Sequence, residues 1–121
     1  EGEVKKLLGN DFSDKWSNIV KLKKLYGGDW ILKGPGTLVS EERRLWINLF
    51  SNGWLGTAGM GDVLAGIIAG LWSSGSLTPF RSSVFLQTQC ARYLISRNGA
   101  GLTAGQLSEV IGFNISQIKK A

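Results

Sequence analysis

Histidine is absent from the 121 residues, cysteine occurs once and proline twice. Without histidine neither a Ser-His-Asp nor a Cys-His catalytic arrangement can be built, and the common zinc ligand sets lose a member. The single cysteine, Cys90, has no partner for an intrachain disulfide, which fits a reducing compartment. It lies in an apolar helical pattern and is expected as a small core residue. Long apolar runs are missing too. The longest, Val63 to Trp72, falls short of the roughly 20 residues that a bilayer-spanning helix needs. Neither end reads as a signal peptide. The expectation is a soluble protein of the cytoplasm with no membrane partner.

Acidic charge is sparse as well: 9 Asp and Glu stand against 14 Lys and Arg, a net charge of +5. The basic residues are scattered in singles and pairs such as Lys5-Lys6, Lys23-Lys24 and Arg43-Arg44. With no basic run and no RNA-binding signature, they read as solvated faces, and no nucleic-acid partner is expected. What is abundant is glycine, 17 residues, and aromatic side chains, including five Trp and five Phe. That composition is globular rather than disordered, and the length suits one domain.

The local patterns divide the chain. Glu3 to Leu8 has a helical pattern ended by Gly9-Asn10. Ser13 and Asp14 can cap a second helix over Asp14 to Tyr26, with Trp16, Ile19, Val20, Leu22 and Leu25 on its apolar stripe and Gly27-Gly28 stopping it. Asp29 to Lys33 is a short strand. Thr37 to Ser40 and Leu45 to Leu49 read as a hairpin turning over Ser40 to Arg44. Ser51-Asn52-Gly53 has turn chemistry.

Helices dominate the second half. One is expected from Gly61 to Ser74, with small residues Ala65, Gly66, Ala69 and Gly70 that lower helix propensity unless something packs closely against them. Thr78-Pro79 opens a long helix to Asn98. After Gly99-Ala100-Gly101, Thr103 caps a helix to Ile111, and a weaker one covers Asn114 to Lys119. Trp30, Trp46 and Trp72 are candidates for core positions. The class is α/β. An isolated buried strand at Trp30 to Leu32 wants parallel neighbours on both sides. The sheet is therefore expected to be incomplete, and the chain to be the C-terminal part of a larger domain.

Two loops have the composition for chemistry. In Gly56-Thr-Ala-Gly-Met-Gly-Asp62, the glycines let a backbone approach a ligand, and the following helix aims unpaired N–H groups and its positive dipole end into the loop. A phosphate or a developing anion is favoured there. Asp62, in the first turn, is placed to act as a general base toward a bound hydroxyl. The P-loop lysine is absent. The second loop, Lys33-Gly-Pro-Gly-Thr37, follows a strand, where α/β proteins bind ligands. Lys33 could meet a phosphate and Thr37 hydrogen-bond it. Taken singly, either loop could be no more than a turn. Trp54 could line a pocket or be buried.

Together, in this order and spacing, Trp30-Ile-Leu-Lys-Gly-Pro-Gly-Thr37 and Gly56-Thr-Ala-Gly-Met-Gly-Asp-Val-Leu-Ala-Gly-Ile-Ile68 resemble the ribokinase-like superfamily. Within it they are similar to the ADP/ATP-dependent NAD(P)H-hydrate dehydratases. Gly2-Glu3 with Lys6-Leu7-Leu8-Gly9, Leu77-Thr-Pro79 and Leu102-Thr-Ala104 also resemble segments of that family. The resemblance implies the C-terminal portion of a ribokinase-like domain over residues 1–121, short strands plus a hairpin and then a helical half. It also implies repair of hydrated NADH or NADPH by phosphorylation and elimination of the ring hydroxyl.

On the same resemblance, Lys33, Gly34, Pro35, Gly36, Thr37 and Gly61 bind ADP or ATP. Asp62 binds the substrate and is the catalytic base, and N–H groups of Gly59, Met60, Gly61 and Asp62 form the anion hole. Mg²⁺ accompanies the nucleotide, and the full-length protein is expected to be a homo-oligomer. Three features depart from the pattern: the missing histidine, Trp54 in place of a small residue, and Ala58 in place of glycine. The competing expectations are a ribokinase-like small-molecule kinase acting on a vitamin precursor, and a non-catalytic nucleotide-binding or assembly module.

Overall fold

The computed structural model describes residues 1–50, 53–99 and 101–120, with side chains to residue 117. The chain divides into two compact units, residues 1–49 and 50–121. The first holds helix α1 (Gly2–Leu8), a 3-10 turn, α2 (Lys15–Tyr26) and strands β1 (Trp30–Leu32), β2 (Thr37–Glu41) and β3 (Arg44–Asn48). The second holds α3 (Met60–Ser73), α4 (Pro79–Asn98) and α5 (Ala104–Lys120).

In the first unit Gly9, at φ 54, ends α1, and Asp14 caps α2 by accepting a bond from the Ser17 N–H at 3.0 Å. The Ser17 hydroxyl and N–H hold the Asp14 carboxyl below its ordinary value. Asn18 is buried and clasps both backbone groups of Ser13, at 2.8 and 2.9 Å, fixing the entry to the helix. The core is Leu8, Ile19, Leu22, Leu32 and Leu38, with Val4, Phe12 and Trp30 packed against it. Trp16, Val20 and Leu25, expected on the buried stripe of α2, are each half exposed or more. The small sheet covers a strip of the helix centred on Ile19 and Leu22, narrower than the apolar pattern.

The strands form an antiparallel meander in the order β1-β2-β3. Its connections read as expected, but the expected parallel neighbours of β1 are not present among the described residues. β1 pairs antiparallel with β2 on one side, and its other edge has no strand partner among the described residues. Lys33 lies outside the strand. The hairpin is tighter than expected: Glu41 pairs with Arg44, leaving Glu42 and Arg43 as a two-residue turn at φ 52 and 62. Such a turn matches the strand twist but normally takes Asn-Gly. Ser51, Asn52 and Ala100, read as loop residues, lie outside the described residues.

The second unit is built on α4. Leu86, Cys90, Ala91 and Leu94 of this helix pack with Met60, Ile67, Leu102 and Leu107. Cys90 is fully buried, as expected, and burial pushes its thiol up to about 11. Helix α3 begins at Met60, one residue before its expected start. Proline opens α4, but Thr78 makes no side-chain cap bond to the backbone; its hydroxyl pairs with that of Ser82 at 3.0 Å. The two helices expected after Thr103 are one. Asn114 does not cap a new helix: its side-chain amide donates to the Val110 carbonyl at 2.9 Å, and α5 continues through it. Trp72 is 64% exposed rather than in the core, beside Phe80. Trp46 is also partly exposed on β3.

Candidate functional site

The loop between β1 and β2 contains Lys33, Gly34, Pro35, Gly36 and Thr37. Gly34 at φ 127 and Gly36 at φ 62 occupy backbone conformations that side chains disfavour. At Gly36 an added Cβ would lie in van der Waals contact with Ile47 Cδ1, at 3.4 Å. Lys33 is exposed and Thr37 half-buried. The Thr37 hydroxyl donates to the Gly34 carbonyl at 3.0 Å, which braces the turn. A residue that pattern reading missed completes the loop. The Lys15 ammonium, from the first turn of α2, donates to the carbonyls of Pro35 at 3.1 Å and Gly36 at 2.8 Å. Desolvation by burial lowers its pKa, opposed by the nearby charge of Glu1. Nothing local in the sequence links positions 20 residues apart, so Lys15 had no motif to betray it.

The other loop lies in the second unit. A 3-10 turn over Gly53–Gly56 leads into Thr57, whose carbonyl accepts the Met60 N–H at 3.2 Å. Gly59 is left-handed, at φ 85, and precedes α3. An added Cβ there would meet Ala104 Cβ at 3.0 Å, so glycine is needed for both conformation and space. The Met60 side chain is buried in the core, and its carbonyl accepts a bond from the buried Gln87 amide at 2.8 Å. Gln87 was also missed, although a glutamine one turn from Cys90 and Ala91 on an apolar face is a visible anomaly.

These contacts set the first turn of α3. Helix geometry leaves the N–H groups of Gly61 and Asp62 without an acceptor one turn back, and the dipole favours negative charge beside them. The Met60 N–H is different: the Thr57 carbonyl already holds it, so this part of the expected anion hole is engaged within the loop. Asp62 is exposed at one end of an apolar groove of about 630 Å³, lined by Gly66, Ile67, Gly70, Ile111 and Ile115 among others. An added Cβ at Gly66 or Gly70 would touch nothing within 4 Å. Gly66 and Gly70 therefore have no close packing partner among the described residues. Trp54 is 44% exposed, with its ring edge near Gly101.

Lys33 to Thr37 thus form one loop of the first unit, and Gly59 to Asp62 one helix start of the second. Among the described residues no group of three or more Asp, Glu, Cys or His could hold a metal ion. No helix among them is long and apolar enough to cross a membrane.

The described residues thus hold two glycine loops, one beside lysines and one opening a helix with an aspartate in its first turn. Comparison with known proteins gives the family. The family model described as NAD(P)H-hydrate dehydratase matches residues 1–112, and the chain belongs to that family. It is 33% identical over 114 residues to a bifunctional NAD(P)H-hydrate repair enzyme of Coxiella burnetii, covering 88% of this chain and 23% of that protein. With the ADP-dependent (S)-NAD(P)H-hydrate dehydratase of Neisseria meningitidis it shares 32% identity over 111 residues, 88% of this chain and 38% of that one. A repair enzyme of Vibrio cholerae is 40% identical over 73 residues, 57% of this chain and 15% of its own length. The chain thus spans well under half the length of these relatives. No solved structure matches it.

Proposed function

We propose that residues 1–121 are the C-terminal part of a single ribokinase-like domain. In the full-length protein that domain dehydrates hydrated NADH or NADPH at the expense of ADP or ATP. The observation that carries this reading is the start of α3, a left-handed glycine followed by free N–H groups and a carboxylate in the first helical turn. That arrangement suits phosphoryl transfer, in which catalysis is mostly positioning and charge stabilisation. The incomplete domain is supported by the unpartnered edge of β1, the uncovered small residues of α3 and the small share of each relative that is matched.

In this reading Lys33, Gly34, Pro35, Gly36 and Thr37 bind the nucleotide phosphates, with Gly61 also touching the nucleotide. The residues fit such a group: Lys33, Gly34 and Pro35 are exposed, and Lys33 is a flexible cation. Asp62 binds the hydroxyl of the damaged nicotinamide ring and accepts its proton. The N–H groups of Gly59, Gly61 and Asp62 face the anion; Met60 acts through its buried side chain and its engaged backbone. Phosphorylation turns the hydroxyl into a leaving group, whose elimination restores the ring. Mg²⁺ would be carried chiefly by the nucleotide phosphates, as the cation prefers when few carboxylates are at hand. A homo-oligomer in the cytoplasm remains part of the proposal.

The test is recovery of NADH absorbance when the full-length protein is incubated with hydrated NADH and ADP or ATP. Recovery that requires the nucleotide is expected. Phosphorylation of a vitamin precursor with no recovery of NADH would overturn the reading in favour of a small-molecule kinase.

A further inference from the structure

The β1–β2 loop has a feature that its glycines and Lys33 do not explain. All three of its central carbonyls are engaged from within the unit: Gly34 by the Thr37 hydroxyl, and Pro35 and Gly36 by the Lys15 ammonium. Exposed carbonyl oxygens would repel a phosphate, since they carry partial negative charge. Bonds to an ionised donor are also the stronger kind, so the lysine grips these two peptides firmly. No cis peptide bond occurs among the described residues. Turning the Pro35 carbonyl onto Lys15 therefore turns the Gly36 N–H to the opposite side, because the two groups of a trans peptide point opposite ways.

The ammonium has three donors and spends two on the loop. It lies 3.5 Å from where a Cβ on Gly34 would stand, so its charge is close against the loop backbone. We propose that Lys15 is the positioning residue that makes this loop an anion site. It withdraws the loop's acceptor oxygens, aims the Gly36 N–H outward, and adds a second positive charge to that of Lys33. The ligand class is a di- or triphosphate. The inference rests on the nucleotide-binding reading of Lys33 to Thr37 and names the residue that reading lacked.

The experiment is calorimetric titration of the chain, and of its Lys15→Met, Lys15→Arg and Lys33→Met variants, with ADP and with inorganic pyrophosphate. Thermal melting of each variant is measured alongside. Lys15→Met is expected to weaken both ligands by about tenfold or more, the scale of a lost charge-assisted interaction. Lys15→Arg, which keeps charge and donors, should recover most of that loss. A purely structural lysine would not separate these variants once they melt alike. Unchanged affinity in a folded Lys15→Met variant would overturn the proposal. So would a wild-type chain that binds neither ligand. Lys15-dependent binding in a full-length protein that fails to restore NADH would uphold the proposal while removing the dehydratase reading.

Discussion

In residues 1–49 the loop between β1 and β2 is gripped at two carbonyls by a lysine from α2, while in residues 50–121 the start of α3 is gripped at one carbonyl by a glutamine from α4. Both devices hold backbone acceptor oxygens beside the two loops proposed to bind ligands. They differ in environment. Gln87 and Met60 are buried and tied into the helical core, whereas Lys15 is only partly covered and the loop beside it is exposed. The difference suits their proposed tasks: a reacting centre needs fixed geometry, while a nucleotide loop has to admit and release its ligand.

That contrast predicts where damage is felt. The largest effect on stability is expected from Gly59→Ala, which forces a side chain into left-handed backbone and against Ala104. A loss of about 1–3 kcal/mol should appear in denaturant unfolding. Adding Ala104→Gly should relieve the contact and return part of it. Gln87→Leu comes next, at about 1 kcal/mol, because the Met60 carbonyl loses one bond. In the full-length protein this variant should lower kcat more than it raises KM for ADP. Equal changes in both would erase the distinction between the two loops.

Smaller effects are expected away from the sites. Replacing Glu42-Arg43 by Asn-Gly places residues that favour positive φ at both turn positions and should stabilise the chain by about 0.5–1 kcal/mol with ADP affinity unchanged. Loss of ADP binding would show that the strained turn serves the nucleotide. The smallest signal concerns Cys90, whose raised thiol pKa of about 11 and full burial predict slow alkylation at pH 8. Denaturant should accelerate it. For this group the sign is clear: its contribution to stability is whole below the unfolded thiol pKa and is lost as pH rises toward about 11.

Much of this arrangement was legible in residues close together in the chain. Asp14 before α2, the hairpin, Pro79 at the head of α4 and Thr103 before α5 are all local signals; the structure adds the reciprocal bonds of Thr103 and Gln106, at 2.9 and 3.2 Å. Both loops were found by their glycines. What local pattern could not supply was the long-range pairing of Lys15 with Gly36 and of Gln87 with Met60, or the continuation of α5 through Asn114. The apolar stripe of α2 overstated burial for a physical reason. Helix α1 and strands β1 and β2 bury only Ile19 and Leu22 of its apolar residues, and leave Trp16, Val20 and Leu25 exposed.

The proposed dehydration turns on Asp62, at the head of α3, acting as its base. Its most direct test is Asp62→Asn in the full-length protein, assayed for NADH recovery from hydrated NADH alongside ADP affinity. ADP affinity is expected to stay within about twofold while turnover falls by about 10²–10⁴, the span of general-base catalysis. An Asp62→Asn variant that restores NADH at the wild-type rate would contradict it.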